Sequence, residues 1–298
     1  MNQQGIMFKA VAIIVFGVAV CTSAQAQKRV FVSGVGDDAN PCSRTAPCRT
    51  FQRGYNLVLA GGEVVALDSA GFGAVSITKS VTLTGEGVYA GITATSSDGI
   101  DVDSASAVVI LRNLSIYGPG GSHFGIGVFD AASLHVENCV IQGFSVGLAV
   151  ASANSGIQTF VKDTVMRNNG EGNDLTTGKA IFENCRFEKN FNGLDDDGAK
   201  VTLHNCVVAG NSNHGLGATQ ASSQMMVDNC QVSNNETGIS IIIDAQARVS
   251  NSEITNNTTG LDASFGGRLL SRISNGVATN TVEDNGTNGT FTGTYLAQ

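Results

Sequence analysis

From Ile110 to Val277 the chain repeats one arrangement of alternating apolar and polar positions around an amide: apolar-x-apolar-x-Asn-small-x-apolar. Its versions are Leu111-Arg112-Asn113, Val136-Glu137-Asn138-Cys139, Val161-Lys162-Asp163-Thr164, Phe182-Glu183-Asn184-Cys185, Leu203-His204-Asn205-Cys206, Val227-Asp228-Asn229-Cys230, Val249-Ser250-Asn251-Ser252 and Ile273-Ser274-Asn275. The Asn or Asp advances by 25, 25, 21, 21, 24, 22 and 24 residues. Self-similarity at such a period marks a solenoid. Alternation with period two marks strands, and nothing between the repeats has helical spacing. Three short strands per coil fit a repeat of about 22 residues better than a strand plus a helix. The expected fold is therefore all-β, a single parallel β-helix of about 10 coils. Its hand should be right, because parallel crossovers almost always are.

The conserved geometry of a coil should need a sharp corner, and Asn tolerates left-handed φ there. Asn113, Asn138, Asp163, Asn184, Asn205, Asn229, Asn251 and Asn275 are accordingly expected to stack as a side-chain ladder. Two further columns keep step with them. Gly147, Gly172, Gly193, Gly238 and Gly260 fall nine residues after the corner, with Gly215 at ten, while Asn169, Asn190, Asn211, Asn235 and Asn257 fall six after it.

Residues 1–26 read as a secretory signal. Lys9 precedes the apolar run Ala10 to Val20, and Ala24-Gln25-Ala26 is an A-x-A cleavage site. The run is too short to span a bilayer, and Val20 is bulky for lipid modification at Cys21. A secreted or periplasmic chain beginning near Gln27 is expected. Six cysteines remain after cleavage. Cys42 and Cys48 bracket a loop with Pro41 and Pro47, where an oxidising compartment favours a disulfide. Cys139, Cys185, Cys206 and Cys230 share the position after the corner and read as buried thiols; neighbouring rungs also lie within disulfide range.

Residues 27–62 should form a strand, the disulfide loop and a short helix capped by Thr50, with Phe51, Tyr55 and Val58 on one face. That helix is a natural plug for the open end of a solenoid. The β-helix would occupy residues 63–276 and an outgoing cap 277–298. Phe31-Val32-Ser33-Gly34, Asp38-Ala39-Asn40-Pro41-Cys42, Pro47-Cys48-Arg49-Thr50-Phe51, Gly61-Gly62-Glu63-Val64-Val65 and Ile77 to Gly85 resemble the opening of secreted bacterial pectate-lyase-like β-helix proteins. With the later coils, the resemblance spans roughly residues 30–290. It implies the fold. For activity it implies a range, since that superfamily includes lyases, hydrolases, epimerases and phage tailspikes.

Composition narrows the partners. The formal charge is −8, or −9 once Lys9 is lost, and no basic stripe exists, so nucleic acid is not expected. Few outward apolar residues favour a monomer over a tailspike-like trimer. Trp is absent; among the aromatics, Phe124, Phe129, Phe144, Phe191 and Phe265 stand outside the strict columns or near turns.

Two outward rows carry the candidate chemistry. The residue before each corner reads Arg112, Glu137, Lys162, Glu183, His204, Asp228, a row whose signs alternate from Arg112 to Glu183 and which should be a solvated, paired face. Counting two beyond each Gly of the column gives Ala149, Asp174, Asp195, Gly217, Ser240 and Asp262. Asp174 and Asp195 should stack, with Asp196 and Asp197 close by, and like charges one rung apart repel. Asp174, Asp195 and Asp197 are thus candidate Ca²⁺ ligands, or Asp174 and Asp195 the acid and nucleophile of a retaining glycosidase; alternatively the Asp-Asp-Asp-Gly run is a soluble turn. The lyase resemblance implies a sugar cleft on this strand, Ca²⁺ acidifying a uronate, and an Arg base from Arg186 or Arg167. The polygalacturonase motif of paired aspartates and a His is absent. The expected function is binding of extracellular or cell-envelope polysaccharide, with lyase or hydrolase action on an acidic polysaccharide and a non-catalytic surface scaffold as alternatives.

Overall fold

The computed structural model describes residues 27–120, 123–152, 154–274 and 277–296. The proposed signal segment and Asn275 lie outside them. Three parallel strands make each coil. Five-residue strands such as Lys179–Glu183, Lys200–His204 and Gln224–Asp228 stack in a first column with unshifted register. After a two-residue corner come the three-residue strands of a second column, among them Arg186–Glu188, Val207–Ala209 and Gln231–Ser233. A second corner leads to the third column, which includes Glu171–Leu175, Asn192–Asp196 and His214–Ala218. Among the described residues the second column has 10 strands, one for each coil. In the early coils the third and first columns run together as the long strands Ile100–Arg112 and Phe124–Glu137, with irregular register between them.

Inward residues stack by kind. Phe182, Leu203, Val227 and Val249 are register partners in the first column, and Met166, Phe187, Val208 and Val232 in the second. All are buried. Burying a large aliphatic or aromatic side chain stabilises by about 1.5–3 kcal/mol, so each rung contributes a similar increment and the core grows along the rod axis.

Both corners are left-handed. Asn113, Asn138, Asp163, Asn184, Asn205, Asn229 and Asn251 have φ between 50° and 57°. Their side chains bond from Asn138 to Asn113 and along Asn229–Asn205–Asn184–Asp163, at the surface. The row breaks beside Asp163, whose carboxylate has no N–H to pass on to Asn138, and Asn251 turns to Asp228 Oδ1 instead. The continuous ladder is the buried one, Asn169–Asn190–Asn211–Asn235–Asn257–Asn285. Each Nδ2 donates to the next Oδ1 at 2.8–3.2 Å, and the backbone N–H donates to the same oxygen. All six of these amides also donate back to a carbonyl of the preceding coil, as Asn211 Nδ2 does to Phe187 O at 3.2 Å. Buried amides satisfied in this way hold the second corner, where an unpaired one would cost about 1–3 kcal/mol.

The helix Phe51–Leu57 is capped by Thr50, whose hydroxyl accepts from Arg53 N. Phe51 and Tyr55 are buried, and Phe51 packs on Phe72 with ring centroids 5.0 Å apart. Cys42 and Cys48 are bonded. Cys139, Cys185, Cys206 and Cys230 are free and buried in one stack; burial pushes Cys139 up to about 12. Thr164 and Ser252 take the same position with hydroxyls bonded to the carbonyl two residues back, at 2.8 and 2.7 Å. The thiols repeat that contact, so these are small side chains suited to a corner, not a metal set. At the far end the columns continue: Thr281–Glu283 joins the second and Gly293–Leu296 the first, extending the solenoid through the segment expected as a cap.

Candidate functional site

The third column explains which side chains face outward. A Cβ added to Gly172 or Gly193 would lie 2.2 Å from the carbonyl oxygen of the next rung's glycine and about 3 Å from a ladder amide, so the glycines face inward. The residue after each glycine also faces inward, as Asn173, Leu194 and Leu216 do. Two successive inward residues shift the phase of alternation. Outward positions therefore lie one before and two after each glycine: Glu171 and Asp174, Asn192 and Asp195, His214 and Gly217.

Asp174 and Asp195 are direct register partners, and Asp195 is followed by Gly217. Asn192 Nδ2 donates to Asp195 Oδ2 at 2.8 Å, and His214 Nε2 meets Asp195 Oδ1. Asn213 Nδ2 donates to Asn192 Oδ1 at 2.8 Å and reaches His214 Nδ1 at 3.3 Å. Because Asn213 can only donate there, Nδ1 is the acceptor and Nε2 carries the proton that goes to Asp195. The four side chains close a ring. Gly217 is required for it: a Cβ there would lie 2.5 Å from His214 Nε2 and 2.6 Å from Asp195 Oδ1.

Beside the ring lie two carboxyls of a different character. Burial, then the charges of Asp195, Asp174 and Asp197, push Glu171 up to about 7 against the opposing effect of His214. Burial, then Asp197 and Asp195, push Asp174 up to about 6. Asp197 accepts from Thr219 Oγ1. Asp196 faces inward and is fully buried; its Oδ1 accepts from Gly198 N and Ala199 N, and burial pushes it up to about 6. Of seven buried side-chain polar atoms without a hydrogen-bond partner among the described residues, four belong to Asn173, Asp174 and Asp196. Such atoms are costly and rare. Their concentration on two adjacent rungs sets this stretch apart from the rest of the rod.

Fold and site geometry together invite comparison with known proteins. A family profile described as "Right handed beta helix region" matches residues 150–295. A solved structure, "Crystal structure of pectate lyase Pel9A", aligns with a TM-score of 0.51 and 13% identity, over 83% of this chain and 69% of that one. The chain is a right-handed parallel β-helix protein. At that identity the likeness to the lyase is one of fold, and no curated protein matches the chain.

The expected residues of this β-helix protein divide in two. Asp174, Asp195 and Asp197 come together, joined by Glu171, Asn192, Asn213 and His214, which period-two alternation did not place on this face. Arg186 does not join them. It sits in the second column, paired with Glu188, while Arg167 on the neighbouring strand bonds Gln142. The charges acting on Glu171 and Asp174 are those of acids and His214, with no arginine among them. Calcium fits poorly as well. Among the described residues no three His, Cys, Asp or Glu side chains are arranged to hold one ion, and Asp195 and Asp197 already accept from protein donors. Of the aromatics, Phe144 is buried, whereas Phe191 is 56% exposed immediately before Asn192.

The other outward row is paired. Arg112 contacts Glu137 at 2.7 Å, Lys162 contacts Glu183 at 3.3 Å and His204 contacts Asp228 at 3.1 Å. It is the solvated face that its alternating signs imply.

Proposed function

We propose that the protein binds a polysaccharide of little or no negative charge across the Glu171–Asp174–Asp195–His214 face, and that the carboxyls there equip it for hydrolysis. The observation that carries this is the contrast within the cluster. Asp195 is held as an acceptor by Asn192 and His214, while Glu171 and Asp174 retain protons into the mildly acidic and neutral range. Neighbouring carboxyls held in such different environments are the arrangement that divides acid and base roles. Strands one rung apart are about 4.8 Å from each other, close to the roughly 5 Å carboxyl spacing of retaining glycosidases. Asp174 or Glu171 then donates to the glycosidic oxygen and Asp195 is the carboxylate opposite. Phe191 offers an exposed ring beside Asn192 for a sugar face.

A uronate-rich chain fits less well, since no arginine or lysine acts on this acidic cluster to offset the uronate charge. The test is binding to, and reducing-end release from, a panel of neutral, amino-sugar and acidic polysaccharides. Neutral or amino-sugar polymers should bind, with any product abolished in Asp195→Asn and Glu171→Gln. Folded protein that binds none of them would leave a structural rod as the answer, and binding that both substitutions leave intact would remove this face as the site.

A further inference from the structure

A concave surface lies on the first column near its C-terminal end, a groove of about 830 Å³. Its floor includes Met226 and Arg248, register partners on neighbouring strands. Arg272 and Tyr295, also register partners, form one side. The Arg248 guanidinium lies 5.8 Å from the centroid of the Tyr295 ring, and Leu296 beside it is 75% exposed. At the opposite side Asp228 contacts His204 at 3.1 Å and accepts from Ser250 Oγ at 2.6 Å and Asn251 Nδ2 at 2.8 Å. Despite the burial that opposes it, these bonds hold the Asp228 carboxyl below its ordinary value. Its charge is spent on its own neighbours. Neither Arg248 nor Arg272 forms a salt bridge among the described residues. On a chain of formal charge −8, this groove gathers two uncommitted cations.

We propose that the groove binds a saccharide carrying a sulfate or phosphate ester. One guanidinium fork saturates the two oxygens of a carboxylate, whereas an ester of this type presents up to three terminal oxygens and can accept from both arginines. Tyr295, Met226 and Leu296 supply the apolar surface against which a sugar ring packs. The groove is open along the rod, which suits a residue within a longer chain. This site is separate from the carboxyl face, has the opposite charge, and stands or falls independently of it.

The experiment is calorimetric titration with sulfated, phosphorylated, carboxylated and neutral oligosaccharides of one backbone, at low and high salt. One or both esters should bind best, with affinity falling as salt rises; which ester binds identifies the source. Arg248→Gln and Arg272→Gln should each weaken binding by about tenfold, in line with loss of one charge-assisted contact, while Lys162→Gln should not. Because a variant can fail to fold, the wild-type protein is also titrated with inorganic sulfate while the arginine Nε–H signals are followed. Shifts at Arg248 and Arg272 are expected. Preference for the carboxylated or neutral sugar, unchanged binding in the double variant, or sulfate shifts absent from both arginines would overturn the proposal.

Discussion

The two charged faces of this rod are built on the same parallel rungs and treat charge in opposite ways. On the first column, Arg112 pairs with Glu137 and Lys162 with Glu183, and His204 contacts Asp228, mostly in solvent. On the third column, Asp174 lies against Asp195 beside Glu171, and relief comes partly from His214 and partly from protons held above the ordinary carboxyl range. Stacking in register forces every outward residue against its counterpart one coil away, so a like-charged pair cannot turn aside as it would on an irregular surface. The paired rungs from Arg112 to Glu183 need no function to account for them. The unpaired face does.

The sharpest way to probe that difference is through pH. Glu171, Asp174 and Asp196 all titrate higher folded than unfolded. Folding therefore favours their protonated forms, and the stability this gives is complete below about pH 4 and is lost as pH rises through 6 to 7. Asp196→Asn keeps the oxygen that accepts from Gly198 and Ala199 and removes the titration. It should stabilise by up to about 3 kcal/mol at pH 7.5, at 1.36 kcal/mol per unit, and by little at pH 4, in thermal melts at both values. An equal gain at the two pH values would remove burial of the carboxyl from the account.

Gly217→Ala tests the ring itself. The new methyl would displace His214 from Asp195, at a cost of about 1–3 kcal/mol for overpacking, with a change in the His214 ring signals on titration. A variant whose His214 resonances match wild type would show that the contact does not depend on the missing Cβ. The smallest effects should separate the faces by sign. Lys162→Ala should change stability by less than about 1 kcal/mol, whereas Asp174→Asn should raise the melting temperature at pH 7.5 by relieving the contact with Asp195. A fall in melting temperature in Asp174→Asn would mean that the like-charged pair is structurally favourable after all, and the comparison would fail.

Much of this was legible along the chain. The repeat period identified the solenoid, the corner asparagines adopt the left-handed φ their chemistry permits, and Thr50 caps the helix Phe51–Leu57. Counting from the glycines placed Asp174 beside Asp195. What was missed follows from local backbone geometry. Strict alternation turns the residue before each glycine inward, and the doubled inward step at Gly172–Asn173 and Gly193–Leu194 sends Glu171, Asn192 and His214 outward instead. Arg186 was drawn toward the acids by its place in the coil, but the second corner puts it on another sheet.

Periodicity alone determined the architecture, because a repeat of this length and alternation can bury its apolar face only by stacking on copies of itself. The third dimension decided which corner asparagines are buried, which acids hold protons, that His214 completes a ring around Asp195, and that Arg248 and Arg272 share a groove with Tyr295. Each of those depends on which atoms of different coils come within a few ångströms, and on how much water the fold removes around them. Neither quantity is carried by spacing along a chain.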